Sequence, residues 1–407
     1  MLVCLAATAM RIPSQGQATK VTVGKDLFLR VDGQPFFVIA FSPGPPPGLK
    51  TPDGRDGWTV MRAAGLTALR SGRWSGPWTR EDDAYVQAQL DAAAKAGLRV
   101  IINLRHLPRV PPGNEKAAAH LWAVIKRFRE HPALLAWKSQ DEPEWGKATI
   151  EPLVEGYRII KETDPNHPVH INQAPRGTIT SLRRYSPAYD ITGCDIYPVS
   201  IPPGLHSDLP NKNLSVVGDY TERMIKVDRG RKPVWMVLQV TWSGATPPRR
   251  PRIFPTLRQE RYMTYQAIIN GAKGLYFFNM FGNLEPKDQP YGWNWTFWRK
   301  VMKPLLAEIG WKSELHPVLL APVSKRKVKM SGADDVEFLC KEHDGSLYLL
   351  AAKRESRAAK VRFSGVPDGQ VAVLFEKRSL RSRDNAFSDR FEPNDVHIYR
   401  MKLPTRL

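Results

Sequence analysis

Residues 133–145 have the sequence Ala-Leu-Leu-Ala-Trp-Lys-Ser-Gln-Asp-Glu-Pro-Glu-Trp. This segment begins as an apolar run with the character of a buried strand, and it ends on two adjacent acids, Asp141 and Glu142. Pro143 follows them and has no N–H to donate to a sheet ladder, so we expect the strand to end there. Glu142 would then lie at the carboxyl end of a buried strand, which is where α/β barrels hold their functional groups.

Apolar segments alternate with segments of helical period on both sides of this strand. The apolar segments are residues 36–41, 66–70, 98–104, the run that ends at 142, 169–172, 191–197, 234–239 and 274–278. Such unbroken apolar runs are typical of parallel strands that are buried on both faces. A doubly wound sheet would usually carry a glycine-rich phosphate turn after an early strand, whereas the loop after Phe41 is rich in proline. The sequence therefore predicts an α/β fold, a (β/α)8 TIM barrel.

The composition and the apolar pattern of the chain change twice, and these changes predict its domains. Residues 1–18 have the composition of a signal segment, and residues 19–312 form the barrel, which a β-rich entry precedes. That entry contains Asp32-Gly33, a strong signal for a two-residue hairpin. From residue 313 to 407, short alternating strands are separated by turn residues, which predicts a small antiparallel β-sandwich domain.

The first ten residues are apolar, and Gly16-Gln17-Ala18 supplies small residues of the kind found at cleavage sites, although no basic region precedes them. We expect a secreted or periplasmic protein. No apolar run reaches the ~18 residues that a membrane span needs. Beyond Cys4 in this segment, Cys194 and Cys340 fall on predicted strands of different domains, so we expect two buried free thiols.

The formal net charge of the 407-residue chain is +20. Such a charge favours acidic partners. The basic residues are scattered and no nucleic-acid motif accompanies them, so we expect no nucleic-acid partner. A generally basic surface is one explanation, and an acidic polysaccharide substrate is the sharper alternative. The sequence gives no indication of the oligomeric state.

Polar and aromatic side chains recur where the predicted strands end, and they would meet at one rim of the barrel. The candidate site residues are Arg70, Asp141, Glu142, Asn172, Asp195, Tyr197, Gln239, Trp242, Asn279 and Trp293. Carboxylates, amides and arginine hold hydroxyl groups well, and aromatic faces pack against the C–H groups of a ring. The set therefore suits a carbohydrate.

The barrel, the β-domain and the Trp137…Asp141-Glu142-Pro143 segment resemble the clan A glycoside hydrolases. The resemblance covers roughly residues 36–309. It implies a glycoside hydrolase that acts on a β-linked poly- or oligosaccharide, with Glu142 as general acid/base. An arginine that ends strand two, here Arg70, and a tyrosine near the end of strand six, here Tyr197, are also typical of the clan, as is a strand eight like residues 271–278.

Two positions depart from the clan pattern. Asp141 stands where an asparagine usually precedes the acid/base. Gln239 stands where strand seven usually ends on the nucleophilic glutamate, and an amide cannot be that nucleophile. The first alternative is therefore a non-catalytic carbohydrate-binding barrel that has lost its nucleophile. The second is a basic surface protein that binds acidic polymers or nucleic acid, which strong salt dependence without a saccharide preference would favour.

Ordinary glycoside hydrolysis needs a second carboxylate. Asp195 is the best candidate because it ends the sixth strand, and a wide separation from Glu142 would make inversion plausible. Asp141 is nearer in the chain, but adjacent residues of a strand point to opposite faces. Glu285 and Asp288, in the loop after strand eight, are further candidates.

The sequence predicts neither a metal site nor a cofactor. Its nine histidines are scattered, without a His-x-x-x-His spacing or paired cysteines. It also lacks the Gly-x-Ser-x-Gly elbow of α/β-hydrolase nucleophiles.

Overall fold

The computed structural model describes residues 19–72, 76–241, 253–282 and 284–404. The predicted signal segment, with Cys4, lies outside these ranges. The described chain begins with a small antiparallel sheet of β1 (Val21–Val23), β2 (Leu29–Val31) and β3 (Gln34–Phe36). Asp32 and Gly33 join β2 to β3 with φ angles of 50° and 82°. The predicted hairpin is confirmed, because both residues have the positive φ that such a turn requires.

Eight parallel strands follow and close on themselves, with β11 paired to β4. They are β4 (Val38–Ser42), β5 (Ala68–Ser71), β6 (Arg99–Asn103), β7 (Leu134–Asp141), β8 (Val169–Gln173), β9 (Ile191–Ile196), β10 (Val234–Gln239) and β11 (Gly274–Phe278). Every strand residue except Asp141 is buried. The predicted TIM barrel is confirmed, and this burial on both faces explains why its strands are continuous apolar runs.

Helices cover the outside of the barrel. They are α1 (Gly57–Ala64), α2 (Arg80–Ala96), α3 (Glu115–Phe128), α4 (Ile150–Thr163), α5 (Ile179–Arg183), α6 (Val216–Val227), α7 (Leu257–Ile269), α8 (Trp295–Phe297), α9 (Lys303–Ile309) and α10 (His316–Leu320). A wider π-type turn, Trp298–Met302, joins α8 to α9. In α3 the side chain of Asn114 caps the first turn by accepting from the Ala117 N–H, and Leu121 and Ile125 face the core. None of the described helices is long and apolar enough to cross a bilayer.

The C-terminal region is an antiparallel β-domain, as predicted. Its strands are β12 (Lys329–Ser331), β13 (Val336–His343), β14 (Ser346–Lys353), β15 (Ala359–Ser364), β16 (Gly369–Val373), β17 (Arg378–Ser382), β18 (Ala386–Phe391) and β19 (Val396–Lys402). They form a three-stranded sheet, β12-β15-β18, and a five-stranded sheet, β13-β14-β19-β16-β17. Cys194 in the barrel and Cys340 in this domain are buried free thiols, as expected.

Strand β14 has one face in each of two hydrophobic cores. Leu347 and Leu349 pack inside the β-domain, while Leu350 belongs to the continuous core that extends into the barrel. Arg354, just past β14, pairs with Asp219 of α6 at 2.8 Å and with Glu337 of β13 at 2.6 Å. The β-domain is therefore held against the side of the barrel by shared apolar packing and by the ion pair between Arg354 and Asp219.

Candidate active site

A cavity of about 220 Å³ opens at the carboxyl ends of the barrel strands. Its lining consists of Ser42, Arg70, Lys138, Asp141, Glu142, His170, Asn172, Asp195, Tyr197, His206, Val237, Tyr276 and Phe278. Most of these side chains are polar, and they come from strands all around the barrel. Pockets at this end of a TIM barrel are where its functional groups converge.

An irregularity at the end of β7 supplies three of these side chains. Lys138 pairs with His170 on β8, and the next pair joins Asp141 to Asn172. The pairing therefore advances by three residues on β7 but by only two residues on β8. The extra residue is a bulge, and it brings Lys138 and Asp141 to the same face. Glu142 then adopts a φ of 45°, a left-handed conformation that is uncommon for a non-glycine residue.

Because of this geometry, Asp141 and Glu142 both line the cavity. Strict alternation along the strand would have sent them to opposite faces. The argument from alternation against Asp141 therefore does not hold at this point of the chain, since the bulge and the positive φ change the direction of the backbone.

Asp141 forms an ion pair with the buried amine of Lys138, whose Nζ lies 2.8 Å from Oδ1. Partial desolvation raises the pKa of Asp141, although its side chain is 46% exposed. The charges of Lys138 and Arg70 outweigh that effect and leave the pKa below its ordinary value. Arg70 is itself buried beneath the cavity and donates from Nε to the Ser42 Oγ at 2.8 Å. Asp141 is thus a fixed anion beside two buried cations.

Glu142 and Asp195 form a close pair of carboxyl groups. Oxygen atoms of both lie within 4.8 Å of each other and of a ring nitrogen of His206, and the two side chains are close enough to share a hydrogen bond. Burial raises the pKa of each group. The charge of Glu142 raises the pKa of Asp195 further, whereas the pKa of Glu142 is raised further by Asp141 and lowered by its hydrogen bond with Asp195. The pair therefore titrates as a unit and holds one proton above the pH at which an isolated carboxyl group loses it.

Asn172 connects the two acidic positions. Its Nδ2 donates to Asp195 Oδ1 at 2.7 Å and lies 3.5 Å from Asp141 Oδ1. The Oδ1 atom of Asn172 is buried and has no hydrogen-bond partner among the described residues. Asn172 thus orients Asp195 and keeps one acceptor for a ligand.

Stacked aromatic rings form one wall of the cavity. Tyr197 lies between His206 and Phe278, with ring centroids 4.4 Å and 5.3 Å away and nearly parallel planes. Burial, together with the charge of Arg176, lowers the pKa of His206 to about 3, so this ring is neutral near pH 7. Its Nε2 lies 3.5 Å from Asp195 Oδ2.

His170 lies on the floor of the cavity and was not among the sequence candidates. It is fully buried and stacks on Tyr276 at 5.5 Å, and neither ring nitrogen has a hydrogen-bond partner within the described ranges. Burial and the charge of Lys138 lower its pKa to about 3. The neutral ring offers one donor and one acceptor. The sequence does contain a signal for it: His170 lies two residues before Asn172 on the same strand, and residues with this spacing point to the same face.

Searches for a matching protein-family model and for a matching curated protein find none. Solved structures do match in three dimensions. A family 5 glycoside hydrolase from Bacteroides vulgatus ATCC 8482 aligns with a TM-score of 0.65 at 13% identity, covering 95% of this chain and 93% of that one. A second structure, described as a glycoside hydrolase, gives 0.64 at 13% identity over 95% and 97%.

A family 39 glycoside hydrolase from Bacteroides cellulosilyticus WH2 aligns with a TM-score of 0.52 at 12% identity, covering 91% of this chain and 83% of that one. Matches that cover both the barrel and the β-domain decide the architecture. The chain has the fold of these glycoside hydrolases, a (β/α)8 barrel with a C-terminal β-domain. At these identities the likeness concerns the fold alone.

Within this glycoside hydrolase fold, strand seven is β10, and Gln239 ends it. Its Oε1 accepts from the Val199 N–H at 3.0 Å, and its Nε2 donates to the Val199 carbonyl oxygen at 2.7 Å. The side chain is fully buried, and Val237 lines the cavity in its place. The structure therefore gives Gln239 a bracing contact to the loop after β9.

Two more predicted residues, Asn279 and Trp293, lie away from the cavity. Asn279 follows β11 with a φ of 76°, and its N–H donates to the Ser42 carbonyl oxygen at 2.9 Å, but its side chain does not line the cavity. Trp293 is fully buried and packs edge-on against Phe41, with ring centroids 5.6 Å apart. Trp242 lies outside the described residues. The predicted residues that do line the cavity are Arg70, Asp141, Glu142, Asn172, Asp195 and Tyr197.

Proposed function

We propose that the protein is a glycoside hydrolase that cleaves a β-linked oligo- or polysaccharide, with Glu142 as general acid/base and Asp195 as its partner carboxylate. The observation that carries the proposal is the contact between these two carboxyl groups in a polar cavity at the carboxyl end of a barrel. The β linkage comes from the resemblance to clan A.

The charge state of the pair suits this chemistry. Glycoside hydrolysis needs one carboxylic acid, which protonates the leaving oxygen, and one carboxylate on the other side of the anomeric carbon. Two carboxyl groups that share one proton already hold that combination. Because the pKa of Asp195 is raised well above its ordinary value and the hydrogen bond with Asp195 lowers that of Glu142, Asp195 holds the shared proton in the free protein. That proton has to pass to Glu142 through their hydrogen bond when the substrate binds.

The positions of the two groups suggest their roles. Glu142 is partly exposed, whereas Asp195 is only 4% exposed. The acid must reach an oxygen whose departing sugar extends toward solvent, so Glu142 suits that role. Asp195 lies deeper, where an attacking carboxylate would meet the ring held in the cavity.

The separation of the pair favours retention of the anomeric configuration. One oxygen atom of each carboxyl group lies within 4.8 Å of one of the other, which is nearer to the roughly 5–5.5 Å between the carboxyl groups of retaining enzymes than to the separation of about 6.5–9.5 Å in inverting pairs, where a water molecule needs room. The wider gap that inversion through Asp195 requires is therefore absent. Proton NMR of the first-formed product measures the outcome, and an inverted anomer would remove Asp195 as the nucleophile.

The neighbouring side chains would hold the sugar. His170 and the free Oδ1 of Asn172 offer hydrogen bonds to hydroxyl groups, and the ring of Tyr197 offers an apolar face. Asp141, fixed by Lys138, is a further acceptor. No step of this scheme requires a metal ion.

A set of aryl β-glycosides and β-linked oligosaccharides tests the proposal, with wild type compared with Glu142→Gln and Asp195→Asn. We expect turnover in the wild type and a loss of about 10²–10⁴-fold in kcat for Glu142→Gln, because general acid catalysis contributes that much. Saccharide binding without turnover in the wild type, and unchanged affinity in Glu142→Gln, would instead support the carbohydrate-binding alternative.

We also propose export, which would bring the enzyme to polymers that cannot enter a cell. Its support is the apolar composition of residues 1–10 and the small residues at 16–18. N-terminal sequencing of the protein recovered from its native host measures whether this segment is removed.

A further inference from the structure

A tryptophan and an arginine form a pair in the loops that follow β7 and β8, at the end of the barrel where the cavity opens. Trp145 is 59% exposed, which is unusual for so large an apolar side chain. The guanidinium group of Arg176 lies over its ring, 5.3 Å from the centroid. Arg176 itself is partly buried. The pair thus presents an aromatic face and a positive charge side by side.

The pair lies beside Glu142. The loop after β7 turns back at once, since the Gly146 N–H donates to the Glu142 carbonyl oxygen at 2.9 Å, and this turn carries Trp145. Arg176 comes three residues after the end of β8, the strand next to β7. The two loops therefore meet at the carboxyl rim of the barrel, on the side where Glu142 faces solvent.

Arg176 forms no ion pair within the described part of the chain, although the Glu144 carboxylate lies against the neighbouring Gly177. It forms no side-chain hydrogen bond there either, and its described side-chain contact is the ring of Trp145. Its charge nevertheless reaches the cavity: burial and the charge of Asp141 raise the pKa of Glu142, and Lys138 and Arg176 oppose that rise. A partly buried guanidinium group without a counter-ion is suited to bind an anion supplied by a ligand.

We propose that Arg176 and Trp145 form a subsite for an anionic sugar on the leaving-group side of the bond, so that the substrate is an acidic glycan. This inference rests on the proposed function, because it is Glu142 as the acid that places the leaving-group sugar at this rim. Arg176 would bind a carboxylate or sulfate group through paired N–H donors, and Trp145 would stack on the C–H face of the same ring.

The charge of the whole chain supports the same class of substrate. A net charge of +20 attracts a polyanion over distances longer than any single contact. That general attraction is weakened by salt, whereas a contact at the partly buried Arg176 is screened less. Measurements at physiological ionic strength therefore separate the subsite from the overall charge.

Three polymers with one β-linked backbone test the proposal: carboxymethyl cellulose, cellulose sulfate and neutral hydroxyethyl cellulose. We expect the wild type at about 0.15 M salt to bind an anionic polymer at least tenfold more tightly than the neutral one. The variant Arg176→Gln should lose that preference, and Trp145→Ala should bind all three more weakly. The anionic polymer that is preferred identifies the carboxylate or the sulfate.

Trp122 and Lys126 of α3 provide the matched control. They form a similar exposed pair, with Nζ 4.5 Å from the ring centroid and Trp122 46% exposed, but they lie on the outer wall of the barrel. We expect Lys126→Gln and Trp122→Ala to bind as the wild type does, although Lys126→Gln removes the same charge as Arg176→Gln.

Equal affinity of the wild type for all three polymers would overturn the proposal, and so would a preference that survives in Arg176→Gln or is lost equally in Lys126→Gln. Hydrolysis of the bound polymers is assayed separately. A preference for an anionic polymer that depends on Arg176, without cleavage of any polymer, would support the anion subsite and refute the proposal that the protein is a glycoside hydrolase. Cleavage without the preference would refute only the subsite.

Discussion

Single residues decide how this site is charged. Two of its carboxyl groups, those of Asp141 and Asp195, have pKa values shifted in opposite directions. Asp141 faces the buried amine of Lys138 at 2.8 Å, and its pKa is lowered. Asp195 faces Glu142, another acid, and burial together with that charge raises its pKa well above the ordinary value. One carboxylate is therefore stabilised as an anion, while the other is destabilised as one.

This difference predicts opposite effects on stability for two similar substitutions. Since the pKa of Asp195 is raised in the folded protein, the folded state loses stability as the pH rises from about 3.9, the unfolded value, through the folded pKa. We expect Asp195→Asn to remove that loss. It should raise the melting temperature near pH 8 by on the order of a few °C, with a smaller gain near pH 4, while activity disappears.

Asp141→Asn is the control with the opposite sign. The pKa of Asp141 is lowered by folding, so its contribution to stability is present above about pH 3.9 and is lost as the pH falls through the lower folded value. This variant should melt below the wild type near pH 8 and approach it in acid. Differential scanning calorimetry from about pH 2 to pH 8 measures both variants, because the change expected for Asp141→Asn lies below about pH 3.9. Parallel curves over that whole range would contradict the assignment.

Among the elements, β7 has a bulge that the sequence did not predict. The apolar run before Lys138 predicted the strand, and Pro143 predicted its end. Nothing in Lys-Ser-Gln-Asp marks a bulge, because no glycine signals it and the pairing with β8 is a non-local contact. The inward direction of Asp141 and the burial of Lys138 could therefore not be read from alternation.

The element β10 provides a test of the alternative hypothesis. If the barrel is a binder that lost its nucleophile, Gln239→Glu should create or increase turnover. The structure favours a different result, since Gln239 Nε2 donates to the Val199 carbonyl oxygen, and a carboxylate there would face that oxygen without a proton to give. We expect a loss of about 1–3 kcal/mol in the free energy of unfolding and no gain in activity.

The variant Gln239→Met serves as the control because it lacks both hydrogen bonds but carries no charge. Its loss of stability should not depend on pH. The loss in Gln239→Glu should shrink in acid, where the new carboxyl group is protonated and can donate. Urea unfolding at pH 5 and pH 8 measures the difference, and kinetic assays at both pH values measure turnover.

At the scale of the whole molecule, the sequence predicted the architecture well and the site partly. Eight buried parallel strands leave an unmistakable apolar pattern, and the β-domain leaves an alternating one. Positions at strand ends also predicted that Arg70, Glu142, Asn172 and Asp195 line one cavity, because a closed barrel brings the ends of its strands together. His206 and Arg176 lie in loops, where their positions depend on contacts that a single sequence does not contain.

The β-domain shares a hydrophobic core with the barrel, so we expect the two to unfold as one cooperative unit. Leu350 and Leu349 are adjacent on β14 and equally buried, but Leu350 packs in the shared core and Leu349 in the β-domain alone. Changing either to alanine should cost about 2–5 kcal/mol in the free energy of unfolding, through lost contacts and a cavity.

The two variants should differ in the shape of the transition rather than in its size. Leu350→Ala weakens the contact that couples the domains, so calorimetry should show the single wild-type transition broaden or divide. Leu349→Ala weakens one domain and leaves the coupling intact, so it should keep a single transition at a lower temperature. If Leu350→Ala also melts in one sharp step, the coupling lies in the ion pair between Arg354 and Asp219 of α6, and Arg354→Met should then divide the transition.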